Sequence, residues 1–181
     1  SNSITNNIAY RITGHTNYNN GFMYNKYYEK NNTNKNDESF VRTKLIWEPN
    51  KKLLISLIGF TSIQDNGYDI WSPNNNGDTT YTDYLGTDKL KNKSFSIDSK
   101  YKFQNSTIQS ISTYSKIDLN YNYDGDWGNN IMWESEPYNW DSLIEGYEWN
   151  YKDITERNRI TKTSDIKFTK ELNKFTYSLG G

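Results

Sequence analysis

Ser94-Phe95-Ser96-Ile97-Asp98-Ser99-Lys100-Tyr101-Lys102-Phe103 is the stretch that decides the fold. Phe95, Ile97, Tyr101 and Phe103 alternate with Ser94, Ser96, Asp98, Lys100 and Lys102. Successive side chains of a strand point to opposite faces, so this period of two predicts a β-strand with one apolar and one charged face. The period returns from Ser110 to Tyr123, where Ile111, Ile117, Leu119, Tyr121 and Tyr123 oppose Ser112, Lys116, Asp118, Asn120 and Asn122. Val41, Thr43, Leu45 and Trp47 oppose Arg42, Lys44 and Glu48, with Phe40 and Ile46 breaking the rule, and Leu53 to Ile63 is apolar on both faces. Ile8 to Thr13, Arg159 to Phe168 and Phe175 to Leu179 complete a set of about seven strands.

Composition points the same way. The 181 residues hold 21 basic and 22 acidic side chains, a net charge of -1, which removes the charge excess expected of a nucleic-acid binder. Alanine occurs once, at Ala9, and valine once, at Val41, while aromatic residues reach 16% of the chain. The best helix former is nearly absent and strand formers abound, an all-β composition. Mean hydropathy is -1.01, yet near-zero net charge and abundant aromatics argue against disorder. No apolar run approaches the roughly 18 to 20 residues of a spanning helix. There are no cysteines and a single histidine, His15, so disulfide scaffolds, thiolate metal sites and a histidine-based triad are not expected. The chain starts Ser-Asn-Ser-Ile, without signal-peptide character, and reads as a fragment or mature piece.

The connections alternate between short and long. Short turns are expected at Pro49-Asn50-Lys51-Lys52, Gln104-Asn105-Ser106 and Leu172-Asn173-Lys174. Long loops, aromatic and polar, run from about His15 to Asp37, Asp65 to Lys91 and Asp124 to Asp153. If each strand reverses direction, all three long loops fall at one end. Short turns on one rim, long loops on the other and alternating strands between them describe an antiparallel up-and-down transmembrane β-barrel. Trp47 and Phe103 before short turns, and Tyr121 and Tyr123 before a long loop, are the expected interfacial aromatics. A soluble β-sandwich shares the alternation but not the loop asymmetry.

Three stretches resemble the barrel domain of TonB-dependent outer-membrane receptors. Asn20-Gly21-Phe22-Met23-Tyr24-Asn25 resembles that family's Asp-Gly-aromatic segment, with Asn20 in place of Asp. Arg42-Thr43-Lys44-Leu45-Ile46-Trp47-Glu48-Pro49 resembles its Arg-x-Lys-Leu-x-aromatic-x-Pro strand, and Glu156-Arg157-Asn158-Arg159-Ile160 loosely matches a Glu-x-Arg strand. The resemblance covers residues 1–181 as a partial barrel, with no plug domain, TonB box or closing C-terminal strand recognisable. It implies a segment of a bacterial outer-membrane receptor with short periplasmic turns and long extracellular loops. Its function would be TonB-energised uptake of a scarce small molecule, a ferric siderophore, cobalamin or carbohydrate. The implied partners are outer-membrane lipid, the substrate, and the TonB complex through a plug outside this segment; neither nucleic acid nor a cofactor is implied. Two alternatives stand beside it, a soluble or surface β-sandwich carbohydrate-binding module and a passive porin-like barrel.

Candidate ligand-binding residues are Trp71, Trp127, Trp133, Trp140, Trp149, Tyr138 and Tyr147, because loop aromatics offer an apolar face and a polar tip. The third loop concentrates them; mutual packing of the rings is the competing expectation. Arg42, Lys44, Asp98, Lys100, Lys116, Asp118 and Arg159 are expected to face the lumen. Asn120, Asn122, Asp124, Gly125 and Asp126 open like a calcium loop, but Ile131 falls where the bidentate Glu belongs. A solvated strand exit is the better reading, and no metal is expected. The long loops are net acidic, through Asp65, Asp69, Asp78, Asp83, Glu134, Glu136, Asp141, Glu145 and Glu148. Glu134 and Glu136 have no spacing that fixes an acid–base pair, so no enzyme is expected.

Overall fold

The computed structural model describes residues 1–173 and 175–181, so the predicted turn at Leu172-Asn173-Lys174 lies outside the described residues at Lys174. In chain order the strands are β1 (Asn2–Thr5), β2 (Ile8–Asn19), β3 (Tyr24–Asn25), β4 (Lys30–Asn31), β5 (Asn36–Asn50) and β6 (Leu53–Tyr68). They continue with β7 (Thr79–Thr80), β8 (Gly86–Lys102), β9 (Ser106–Asp124), β10 (Lys152–Leu172) and β11 (Phe175–Gly180). Two short helices, α1 (Asn130–Glu134) and α2 (Ser142–Glu145), sit between β9 and β10.

The chain is all-β, as expected, and most of it is one antiparallel sheet in the order β1-β2-β5-β6-β8-β9-β10-β11. Eight strands replace the expected seven. The addition is β1, whose four residues are too few for a period of two to register. The sheet's end strands, β1 and β11, do not pair with each other, so it is open and not closed into a barrel. The strands also run well past their apolar stretches: β8 begins at Gly86 and β10 at Lys152, because backbone pairing proceeds through polar residues as readily as apolar ones.

Tight turns join β1 to β2, β5 to β6 and β8 to β9 at one end, where the Leu172↔Phe175 pair of β10 and β11 also lies. At the β5–β6 turn, Asn50 Oδ1 accepts from the backbone N–H of Lys52 (2.9 Å) and Leu53 (3.1 Å), holding the reversal. The three long connections, residues 20–35, 69–85 and 125–151, occupy the other end and carry structure of their own. A second sheet, β4-β3-β7, is built from the first two. In the third, Asn129 caps α1 by accepting from Met132 N, Asp141 caps α2 from Leu143 N and Ile144 N, and Gly146 ends α2 at φ 83°.

Register assigns the faces. Phe95 pairs with Gly59 and Tyr114, Ile97 with Leu57 and Ser112, and Tyr101 with Leu53 and Ile108. Leu57 in turn pairs with Leu45, and Leu45 with Tyr10. Directly paired residues share a face, so Tyr10, Leu45, Leu57, Phe95 and Ile97 form one apolar band. Ile111, Ile117, Leu119 and Tyr121 pair instead with Asp98, Asn92, Leu90 and Asp88, which puts them on the opposite face. The apolar rows of β8 and β9, each legible in its own alternation, therefore point to opposite sides of the sheet. Trp47 pairs with Ile55, on the Phe95 face, so the expected interfacial rows Trp47 and Tyr121/Tyr123 also lie on opposite faces.

The two faces differ in shelter. Along β8, exposed Lys89, Lys91, Lys93, Phe95 and Ile97 alternate with half-buried Leu90, Asn92, Ser94, Ser96 and Asp98. The half-buried face carries a side-chain ladder: Gln64 Nε2 donates to Asp88 (2.6 Å), Gln109 Nε2 to Asp98 (2.9 Å) and Thr113 Oγ1 to Ser96 Oγ (3.1 Å). Among the described residues no second layer covers the open face. Met23 is the one buried apolar side chain among the described residues, while Phe95 is 50% and Ile12 62% exposed.

Candidate functional site

The loop end is where polar groups are buried. The first loop lies back on the sheet through Gly67 of β6, whose N–H donates to Lys35 O at 2.9 Å. A Cβ at Gly67 would come within 2.4 Å of Thr33 O, so only glycine admits this approach. Asn25 of β3, fully buried, then inserts between the loops. Its Nδ2 reaches Asp69 Oδ2 (3.0 Å), Thr82 O (3.0 Å) and Thr82 Oγ1 (2.8 Å), and its Oδ1 accepts from Tyr28 N (2.9 Å). Asp69, 2% exposed, also accepts from Thr80 Oγ1 (2.8 Å) and Thr82 Oγ1 (2.7 Å). Both oxygens of this carboxylate are spent on neutral donors of the first two loops, which makes it a structural hub.

Asp124, at the loop end of β9, ties the second loop to the third. Its Oδ2 accepts from Asp83 N (3.0 Å) and Tyr84 N (3.3 Å), and its Oδ1 from Asp126 N (3.1 Å) and Trp127 N (3.0 Å). Asp126 accepts from Gly128 N (3.1 Å), Trp133 Nε1 (3.3 Å) and Tyr151 N (2.8 Å). Burial, followed by the neighbouring charge of Asp126, pushes the Asp124 carboxyl up to about 7. Burial and the Asp126 charge also raise Asp83. The segment expected to be a solvated strand exit is thus buried, Asp124 at 3% and Asp126 at 4% exposure. As for the calcium-like run, Asn122 Oδ1 accepts from Thr87 N and its Nδ2 donates to Thr87 Oγ1 and Asn120 Oδ1. Among the described residues no group of three or more His, Cys, Asp or Glu is placed to hold a metal ion.

The candidate aromatics of the third loop come together, but mainly on one another. Trp133 stacks on Trp149 at 5.0 Å between ring centroids, Trp140 meets Trp149 at 5.3 Å and Tyr147 at 4.8 Å, and Tyr138 sits edge-on to Trp133 at 4.7 Å. Trp71 and Trp127 form a separate stack at 5.8 Å between the second and third loops. Of the expected ligand-binding set, Tyr138 alone lines the large cleft of the loop end. Of the expected lumen-facing set, Arg42, Lys44, Asp98, Lys100 and Arg159 lie on the half-buried face. Lys116 and Asp118 pair with Lys93 and Lys91 on the open face.

That cleft, about 580 Å³, opens where the three long loops meet, between Lys26 and Tyr27 of the first, Asn74 and Tyr81 of the second, and residues 129–138 of the third. Its volume falls within the range of small-molecule sites, about 300 to 1,000 Å³. The Tyr81 hydroxyl accepts from Asn74 Nδ2 (3.2 Å) and Asn76 Nδ2 (3.4 Å), leaving its own proton free to donate. Asn129 Nδ2 donates to Tyr81 O (2.6 Å), fixing the cleft floor. Weighting indole rings pointed away from this cleft; the signal for it was the run Thr79-Thr80-Tyr81-Thr82, where Thr80 and Thr82 are buried anchors on either side of one half-buried ring. Compared with known proteins, the chain matches no family model, no curated protein and no solved structure.

Proposed function

We propose that this chain is a segment of a transmembrane β-barrel of the bacterial outer membrane, of the TonB-dependent receptor kind. In that reading its long loops capture a small-molecule substrate on the outer face, and uptake is energised by TonB through a plug domain outside this segment. No catalytic step is assigned to the chain. The observation that carries the reading is a single-layer sheet of long strands whose open face, uncovered among the described residues, bears the apolar band of Tyr10, Leu45, Leu57, Phe95 and Ile97, with Lys89, Lys91 and Lys93 on the same face toward the loop end. β2 to β10 of the large sheet run 12 to 21 residues, against about 9 to 11 needed to cross a bilayer and about 5 to 6 usual in soluble sheets. A sandwich would bury Phe95, Ile97 and Leu57 beneath a second sheet; the small sheet β4-β3-β7 belongs to the loop end, and Phe95 and Ile97 stay exposed. The half-buried polar ladder then corresponds to a lumen wall and the open face to lipid.

Site-directed labelling tests this cleanly, because the chain has no cysteine. A fluorophore on Ile97→Cys, in protein reconstituted into phospholipid vesicles, is expected to be quenched by brominated acyl chains. The same label on Asp98→Cys is expected to respond to aqueous iodide. A chain that stays monomeric and folded in plain buffer, with iodide reaching position 97, sinks the membrane reading and favours a soluble carbohydrate-binding module.

A further inference from the structure

We propose that the cleft between the three long loops binds short peptides with free ends, Lys26 taking the α-carboxylate and Glu136 the α-ammonium. The proposal rests on reading the loop end as the ligand-facing end, but does not require the sheet to cross a membrane.

The chemistry of the lining selects this ligand. Lys26 and Glu136 both border the cleft, and neither forms an ion pair with the other or with any described residue. One ammonium and one carboxylate are therefore held on the same cavity, each without a partner. A ligand of single charge would satisfy one and leave the other idle or opposed; a zwitterion satisfies both. The Lys26 ammonium is positioned by Tyr81, standing 5.7 Å from its ring centroid, within the range of a cation–π contact.

The remaining wall suits a side chain and a peptide backbone better than a sugar. Ile131, 73% exposed, and Met132 present apolar surface to the opening. Stacking of a pyranose needs a free aromatic face, yet Tyr81 has Lys26 over its ring. Tyr138 packs edge-on to Trp133, and Tyr27 meets Tyr28 edge-on at 5.0 Å. The Tyr81 hydroxyl proton remains to bond a peptide carbonyl. Cation, hydroxyl donor, apolar wall and anion on one cleft are the complements of the groups a short peptide carries.

Isothermal titration of the 181-residue chain with the tripeptide Ala-Leu-Ala tests the proposal, alongside its N-acetylated and C-amidated forms and maltotriose. Saturable binding of the free tripeptide is expected, with each blocked form weaker by about tenfold, the value of one charge-assisted hydrogen bond. Lys26→Met should abolish the discrimination against the C-amide alone, and Glu136→Gln that against the N-acetyl form alone. Leu143→Ser, on exposed α2 outside the cleft, is the control and should bind as the parent does. Lys26 and Glu136 are exposed, so far-UV circular dichroism should show both variants folded. Equal binding of free and blocked peptides, tighter binding of maltotriose, or no saturable peptide binding each overturns the proposal. Those outcomes leave the lipid and iodide quenching at positions 97 and 98 unaffected, so a failure here is distinct from a failure of the membrane reading.

Discussion

Phe95 on β8 stands directly across from Tyr114 on β9, and this one pairing sends Ile111 and Ile117 to the far side of the sheet from Phe95 and Ile97. Alternation within each strand puts Phe95 with Ile97 and Ile111 with Ile117, but it does not relate one pair to the other. The difference sets what a charge does at each position. In lipid, Ile97→Arg is expected to cost up to about 2 to 4 kcal/mol near the midplane, whereas Ile117→Arg, beside Asn92 on the polar-laddered face, should cost less than about 1 kcal/mol. Urea unfolding in vesicles reads both. Equal penalties would show that the register does not assign the lipid face.

Asp69 joins the first two loops through Asn25, Thr80 and Thr82. Asp69→Ala leaves the buried hydroxyls of Thr80 and Thr82 without an acceptor and removes one of the bonds of Asn25 Nδ2, a loss of about 2 kcal/mol or more to the loop end. Hydrogen exchange should therefore accelerate at Asn25 and Thr80 while the amides in the middle of β8 and β9 keep their protection. Uniform loss across the sheet would mean that the loops and sheet unfold as one unit.

The Asp124 carboxyl gives the loop end a pH dependence of definite sign. Its folded value of about 7 lies above the usual carboxylate value of about 3.9, so the stabilisation is full below about pH 4 and is lost as pH rises through 7. The four backbone N–H groups on Asp124 favour the anion, but burial and the facing Asp126 charge outweigh them. Asp83 shifts in the same direction, opposed by the ammonium of Lys152, which lies 5.1 Å from the Tyr84 ring centroid. Tryptophan emission from the third loop should show a tighter, bluer cluster at pH 5 than at pH 8. Asp124→Asn should flatten most of that change; a profile of opposite slope would refute the assignment.

Trp149 carries a buried indole N–H with no hydrogen-bond partner while its ring stacks on Trp133. Trp149→Phe keeps an aromatic surface and removes the orphan donor, so thermal stability should hold or rise by up to about 1 kcal/mol. Trp149→Ala removes the stack and should cost about 2 to 4 kcal/mol. If the phenylalanine variant lost as much as the alanine variant, the indole N–H would have to be bonded.

Much of the sheet was legible because strand identity is a local property. Ser94 to Phe103 and Ser110 to Tyr123 alternate strictly, and the turn at Asn50 and Lys51 is written in residues that favour tight reversal. β1 escaped notice because four residues show no period. The polar first half of β10 escaped because its pairing with β9 rests on backbone groups that leave no mark on side-chain chemistry. In the loops, the tryptophans were visible as aromatic surface, but surface is spent wherever rings meet: Trp133, Trp140 and Trp149 close on one another, and the cleft falls to Tyr81, Tyr138, Lys26 and Glu136.

By itself the sequence determined an all-β chain, a meander of alternating strands, and tight turns opposed to long aromatic loops, since each depends on neighbours within a few residues. Only the tertiary structure decided which apolar rows share a face, that the sheet stays open, that Asp69 and Asp124 are buried knots instead of solvated charges, and which loop residues line one cavity. Those outcomes depend on register and on contacts between residues far apart in the chain. A shift of one residue in β9 against β8 would reverse every face of β9 without altering a letter of the sequence.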